Sequence, residues 1–362
     1  MTPNETCRHL SNGYRFEIRP TGQVEIAPCC FWVGHTPNIL KPISEINDYR
    51  TIIGNKDSYT SVECDHCNYK LKNQLPSIMR DRAVEKIPDD SEFGDATFVE
   101  IQIAKTCNAA CIICNSQYST LWQSENKKFN IQDNALNVDF DYIKRILEVI
   151  DIQKTRRFNF QGGEGMLIND DLKILPLIDD LSKVSVCYAS NGSYTTASAA
   201  RKDIWRKLQT LIINFSVDGI GAQFEYIRYP LKWDTVQSNI NRMCSDESLR
   251  HNFSPGINYT VNILNLYYYD EIENWYNTHC PSVIRKRIIN YNPAYGILSP
   301  KSVTPKLFDL LVKKYGHGHA VTNTVVDTML DANNLLGYLH DMDVRRGLDW
   351  KQVFPEIKDC FD

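Results

Sequence analysis

From residue 97 onward the sequence switches repeatedly between two hydrophobic periods, and this alternation restricts the possible folds more than any other feature. Short runs of β-type residues, TFVEIQIA (97–104), RRFNFQ (156–161), VSVCYAS (184–190), LIINFSV (211–217), INYTVNIL (257–264) and VIRKRIINY (283–291), are separated by amphipathic stretches. The clearest of these are DFDYIKRILEVI (139–150), DDLKILPLIDDLS (170–182) and WDTVQSNINRMC (233–244), whose apolar residues recur every three or four positions. Such repeats suit helices packed on a sheet. Strands joined by helical crossovers run parallel, so six of them imply an α/β fold, with the sheet open or curved into a partial (β/α)6 barrel. Ligands of such folds sit at the carboxyl ends of the strands. The informative residues are therefore expected just past each strand.

Composition narrows the functional classes. A net charge of −4 over 362 residues gives no global basic field, so nucleic acid is not an expected partner. No apolar run approaches the ~20 residues of a membrane span, and the start, MTPNETCRHLSNGYRF, lacks the charged-then-apolar pattern of a signal peptide. The chain is accordingly expected to be cytoplasmic. In a reducing compartment its twelve cysteines point to metal or redox chemistry rather than to disulfides. Five lie in the first 70 residues (Cys7, Cys29, Cys30, Cys64, Cys67), three form a tight group (Cys107, Cys111, Cys114), and Cys187, Cys244, Cys280 and Cys360 are scattered.

The tight group follows the first expected strand directly, in KTCNAACIICNS. Spacings of three and two residues let three thiolates converge on one compact centre. A structural zinc normally closes with four ligands, whereas iron–sulfur clusters use thiolates throughout. No fourth cysteine or histidine lies near this loop, so the spacing points to a cluster with one iron left open. Three chance cysteines, or zinc completed by a distant ligand, are the alternatives.

CNAACIIC matches the C-x3-C-x2-C signature of the radical S-adenosylmethionine (SAM) enzymes, and the later strand ends resemble that family in order. The resemblance implies a partial barrel and a [4Fe–4S] cluster on Cys107, Cys111 and Cys114 whose open iron chelates SAM. One-electron cleavage of SAM there gives a 5′-deoxyadenosyl radical that removes a substrate hydrogen. QGGEGML after the second strand is similar to the family's Gly-Gly-Glu-Pro element, with Gly162, Gly163 and Glu164 matching and Gly165 replacing proline. Two glycines permit close backbone approach, and a carboxylate suits the SAM ammonium. Ser190 and Asn191 in ASNGS resemble the family's third turn. Ser216 and Asp218 in FSVDGIG resemble the element that meets the SAM ribose. Arg228 is similar to an arginine that pairs with the SAM carboxylate. Val261 and Asn265 resemble the segment behind the adenine, where Ile113 replaces the usual aromatic. No catalytic residue is assigned.

The N-terminal segment carries a second motif. Residues 14–19 and 23–27 around PTG suggest a β-hairpin. Cys7 precedes it, Cys29 and Cys30 follow it, and the C-x2-C pair Cys64 and Cys67 lies downstream. By spacing, four-cysteine zinc and a four-cysteine iron–sulfur cluster are both admissible. The segment resembles the twitch or SPASM-type module that holds an auxiliary [4Fe–4S] cluster, here placed before the barrel. Only one of two adjacent side chains on an extended chain can face a cluster, and Cys29 is taken as the ligand beside Cys7, Cys64 and Cys67.

The expected organisation is a cysteine-rich module over 1–92, a barrel over 93–300 and a helical C-terminal region over 301–362. The expected function is oxidative modification of a peptide or protein side chain, with a flavodoxin or ferredoxin as electron donor and a precursor peptide or protein as substrate. A radical SAM dehydrogenase of a small molecule or nucleoside is the nearest rival, and a non-catalytic metal-binding scaffold is the alternative outside enzymology.

Overall fold

The computed structural model describes residues 7–361 apart from 31, 33, 57–60, 65–66, 68–91, 195–197, 279–289, 294–295 and 331. Its strands are β1 (Gly13–Ile18), β2 (Val24–Ala27), β3 (Phe98–Ala104), β4 (Arg157–Gly162), β5 (Ser185–Ser190), β6 (Thr210–Ser216), β7 (Phe253–Val261) and β8 (Asn290–Pro293). They form one eight-stranded sheet in the order β2-β1-β3-β4-β5-β6-β7-β8. The β1–β2 pair is antiparallel, and every other neighbouring pair is parallel.

The hairpin forms where the turn chemistry predicts it. Pro20 fixes the second turn position, the Gly22 amide donates to the Arg19 carbonyl at 2.9 Å, and Gly22 takes φ +78°. Instead of standing apart, the hairpin extends the main sheet, with Tyr14 opposite Val99 and Phe16 opposite Ile101. Phe16, Val24 and Ile26 are fully buried in the same core as the later strands.

Register divides the sheet into two unlike faces. Phe16, Ile101, Phe160, Tyr188 and Ile213 follow one another across β1, β3, β4, β5 and β6, and all are buried. The opposite rows bring Arg15 to Glu100, Glu100 to Asn159, Asn159 to Cys187, and Ser216 to Asn258. A parallel sheet covered by helices on both sides is usually apolar on both. Here one face is polar.

Helices α1 (Ile43–Gly54), α2 (Thr120–Lys128), α3 (Tyr142–Val149), α4 (Ala199–Trp205), α5 (Gly221–Ile227), α6 (Trp233–Cys244), α7 (Tyr269–Thr278), α8 (Pro305–Tyr315) and α9 (Ala332–Arg346) supply the rest of the core. Their boundaries follow local chemistry. The Ser119 and Thr304 hydroxyls accept the amides of Trp122 and Leu307 as N-caps, and Pro305 opens α8. Among the described residues no helix is long and apolar enough to cross a membrane.

Three expected elements differ from the structure. The stretch 170–182 is not one helix but a turn of helix, Asp170–Ile174, followed by 3-10 turns, because Pro176 has no amide to continue the ladder. β7 covers 253–261 and not 257–264. It stops where the Asn262 side chain accepts the Leu264 amide at 3.0 Å and turns the chain, and it starts before Pro255, where β8 does not yet pair with it. Of the last expected strand only 290–291 lies within β8, and 283–289 fall outside the described residues.

Candidate active site at the cysteine loop

The chain leaves β3 into the loop that carries Cys107, Cys111 and Cys114, and many hydrogen bonds hold this loop. The Thr120 hydroxyl donates to the Cys107 carbonyl (3.1 Å) and accepts its amide (3.2 Å). Ser119 holds the Ala109 carbonyl at 2.6 Å, and the Trp122 indole holds that of Cys111 at 2.9 Å. From the end of α5, the carbonyls of Ile227 and Tyr229 receive the amides of Ile112 (2.9 Å) and Ala110 (2.7 Å). From α9, the Tyr338 hydroxyl donates to the Ile112 carbonyl at 2.8 Å. These bonds tie the loop to α2, to the end of α5 and to α9, so the thiols sit on a held frame.

The three thiols are neighbours, with Cys111 buried and Cys107 and Cys114 half-buried. Burial, then the neighbouring Cys111, pushes Cys107 and Cys114 up to about 12, and burial also raises Cys111, while Arg228 opposes the rise at each. Among the described residues no three His, Cys, Asp or Glu side chains are gathered for a single metal ion. A cubane differs from an ion in binding each thiolate at a separate iron corner, so its ligands need not meet at one point. Three mutually neighbouring thiols beside a cation fit that donor set, and binding iron would relieve the cost of ionising them.

The glycine pair has a steric cause. Gly162 takes φ +111°, and a Cβ there would lie 2.4 Å from the Ala104 carbonyl oxygen. A Cβ on Gly163 would lie 2.1 Å from that of Thr106. The Gly163 and Glu164 amides donate to these same two carbonyls at 2.8 and 2.7 Å, so the end of β4 is laced onto the chain entering the cysteine loop. Gly165 is confined as well, since a Cβ would meet the Ala189 carbonyl at 2.9 Å. The chain thus has a local reason for glycine where the resembled family has proline.

Glu164 is fully buried. Its carboxylate accepts the amides of Met166 (3.0 Å) and Asn191 (2.6 Å) and the hydroxyl of Ser190 (2.8 Å). Burial outweighs these donors and raises its pKa. Glu164 therefore joins the ends of β4 and β5. Asn191 carries the link onward: its amide donates to Asn108 at 3.0 Å and approaches the Cys107 sulfur at 4.0 Å.

Asp218 and Arg228 form a buried ion pair at 2.5 Å. The second Asp218 oxygen accepts the Thr260 amide at 2.7 Å, and Arg228 Nη1 lies 3.9 Å from the Cys111 sulfur. Asn265, wholly buried, donates to the carbonyls of Asp218 and Thr260, both at 3.0 Å. Val261 is equally buried at the end of β7. Ser216 ends β6 and is partly exposed, as is Ile113, which packs on the core beside Cys114. The structure thus brings Glu164, Ser190, Asn191, Asp218 and Arg228 to the cysteine loop, while Asn265 and Val261 support it from behind.

In the N-terminal segment Cys7 precedes a short helical turn and Cys64 ends a 3-10 turn. Burial raises Cys30 to about 12, and its neighbours include Glu100, Arg15 and Cys67. Cys29 is a neighbour of Tyr49. Cys30 thus lies near Cys67. Of the scattered cysteines, Cys187 lies on the polar face with the Asn214 amide donating to its sulfur at 3.4 Å, Cys360 is buried near the C-terminus, and Cys244 ends α6. His279 and Cys280 lie outside the described residues.

Two groups gave no signal as motifs. Arg346 on α9 pairs with Glu125 at 3.1 Å and lies over the rings of Trp122 (4.7 Å) and Tyr229 (4.8 Å), which closes the back of the loop. On the polar face Glu100 binds Arg15 at 2.9 Å and accepts the amides of Gln161 (3.1 Å) and Asn159 (3.4 Å). The alternating polar residues of β3 (Glu100, Gln102) and β4 (Arg157, Asn159, Gln161) were the available signal for the second group; Arg346 had none.

Searches among protein families and among curated proteins find no match to this chain. Among solved structures it is similar to Streptococcus suis SuiB bound to S-adenosylmethionine, at 10% identity and a TM-score of 0.28, over 85% of this chain and 75% of that one. A superposition that loose does not map one site onto the other.

Proposed function

We propose that the chain is a radical SAM enzyme that modifies a peptide or protein side chain oxidatively. The observation that carries this reading is the convergence of the strand ends: the three-cysteine loop after β3, Gly162–Glu164 after β4, Ser190–Asn191 after β5 and Asp218 after β6 meet at one end of a parallel sheet. Cys107, Cys111 and Cys114 would hold a [4Fe–4S] cluster that, with SAM bound, supplies a 5′-deoxyadenosyl radical able to take a hydrogen atom from an unreactive carbon.

The protein's own part is to hold and shield. The bonded loop fixes the thiolates, and the glycines let the β4 backbone approach without side chains. Glu164 keeps Ser190 and Asn191 against the loop. Cys7, Cys64 and Cys67, with one of the adjacent pair Cys29 and Cys30, are proposed to hold the auxiliary cluster that accepts an electron from the substrate. Zinc there would leave the chain a one-cluster enzyme. The polar face favours a second reading, oxidation of a small hydrogen-bonding molecule, because its amides and neutralised charges suit such a ligand.

The deciding experiment measures iron per chain and 5′-deoxyadenosine after anaerobic reconstitution, reduction and addition of SAM. Wild type is expected to hold about eight irons and to form the nucleoside, and a Cys107/Cys111/Cys114→Ala variant to hold about four and form none. Wild type that forms no 5′-deoxyadenosine sinks the reading in favour of a scaffold.

A further inference from the structure

We propose that Arg228 acts on the Cys111 sulfur rather than on a cofactor carboxylate, as a positioning residue that raises the reduction potential of the centre held there. This deepens the proposed function and rests on it.

The geometry leaves Arg228 little freedom for another role. One terminal nitrogen lies 2.5 Å from Asp218, and the other lies 3.9 Å from the Cys111 sulfur. Asp218 is itself anchored to β7 through the Thr260 amide. Arg228 is 7% exposed and Asp218 is fully buried. Recognising a carboxylate with two parallel N–H bonds requires an open edge of the guanidinium. Here each terminal nitrogen already makes one contact, and the edge that carries Nε is buried.

A cation aimed at a ligating sulfur has a defined electrostatic effect. Adding one electron from an external reductant leaves the cluster and its sulfurs one charge more negative, with no bond broken and no proton moved. An N–H donor and a positive charge beside the sulfur stabilise the reduced state more than the oxidised one. Low surrounding polarity strengthens the effect. Asp218 holds the guanidinium in place, so an arginine that would otherwise seek water stays beside Cys111.

The test is a mediated potentiometric titration of the reduced cluster signal by electron paramagnetic resonance. It compares reconstituted full-length wild type, R228Q and R228K at matched iron content, with equilibrium SAM binding measured in parallel. Expected is a midpoint shifted to more negative potential in R228Q and an intermediate one in R228K, with SAM affinity changed less than about tenfold. Unmoved midpoints overturn the proposal, and with a tenfold or larger loss of SAM affinity they would make Arg228 a carboxylate clamp. R228Q leaves Asp218 buried and unpaired, so wild type labelled with 15N-arginine provides a second readout that does not depend on that variant folding. A nitrogen coupling in the reduced centre that disappears in R228K is expected, and its absence from wild type overturns the proposal. Wild type that takes up no iron refutes the enzymatic reading and this proposal with it, whereas a loaded wild type with unmoved midpoints refutes this proposal alone.

Discussion

At the scale of single residues, the glycine–glycine–glutamate run shows how one motif can have two causes. Its close backbone approach is already used within the protein, since Gly163 lies against the Thr106 carbonyl. Backbone cannot yield to a new side chain as a flexible side chain can. Gly163→Ala is therefore expected to disrupt the start of the cysteine loop, costing more than the roughly 1 kcal/mol of an ordinary loop substitution. A lowered thermal midpoint together with reduced iron uptake would show it; an unchanged midpoint would mean that the loop relaxes. Glu164→Gln tests the neighbouring link. The amide keeps the shape but turns a donor toward one or more of the three groups that now donate to the carboxylate. A loss of about 1–3 kcal/mol is expected from chemical denaturation. Because burial raises the pKa of Glu164, its ionised form costs stability. That cost is absent below the unfolded pKa and grows as pH rises through the folded one, so Glu164→Gln should flatten this part of the pH profile.

At the scale of elements, the helices and strands were legible wherever hydrophobic period and punctuation agreed. α6 runs from Trp233 to Cys244 as its spacing predicts, and the hairpin forms around Pro20 and Gly22. The failures have local causes, Pro176 inside an apolar repeat and an asparagine turn after Val261, where side-chain hydrogen bonds override the pattern. α9 was legible as a helix but its role was not, because Arg346 reaches Glu125 across more than two hundred residues. Removing that side chain would leave Glu125 buried and unpaired and would uncover two rings. Arg346→Ala is expected to cost about 3–5 kcal/mol, read as a shifted denaturation midpoint, with iron retention falling in parallel. The Lys56–Glu63 pair links the chain after α1 to the turn ending at Cys64, at 2.6 Å. Its hydrogen bonds from Lys56 and Ser61 lower the Glu63 pKa from 4.5 to about 2. The pair's contribution is thus complete above the unfolded pKa and lost as pH falls toward about 2. The stability difference between wild type and Glu63→Gln should shrink between pH 5 and pH 2; a constant difference would mean that the carboxylate is not stabilised there.

At the scale of the molecule, the sheet has one apolar face and one polar face. The order of the strand-end motifs was readable because a parallel sheet collects all its strand ends at one edge. The polar face was less readable, because its pattern emerges only when register sets Arg15 beside Glu100 and Glu100 beside Asn159. β1 adds Arg15 to this face and so joins the hairpin to the site: the guanidinium binds Glu100 at 2.9 Å and Glu17 at 3.2 Å, and donates to the Cys30 carbonyl at 3.3 Å. With its charges paired internally, the face offers a ligand mainly amides, those of Gln102, Gln161, Asn214 and Asn258 being partly accessible. If substrate lies over this face, binding and radical formation should separate on mutation. Gln161→Leu removes one donor to Glu100 but leaves Arg15 and Asn159 on it, so the fold should hold within about 1 kcal/mol. Formation of 5′-deoxyadenosine without substrate should then match wild type, while the additional turnover that substrate induces should fall at least about tenfold, as expected for lost positioning. Equal loss of both rates would place Gln161 in the support of the cysteine loop, and no loss of either would move the substrate off this face.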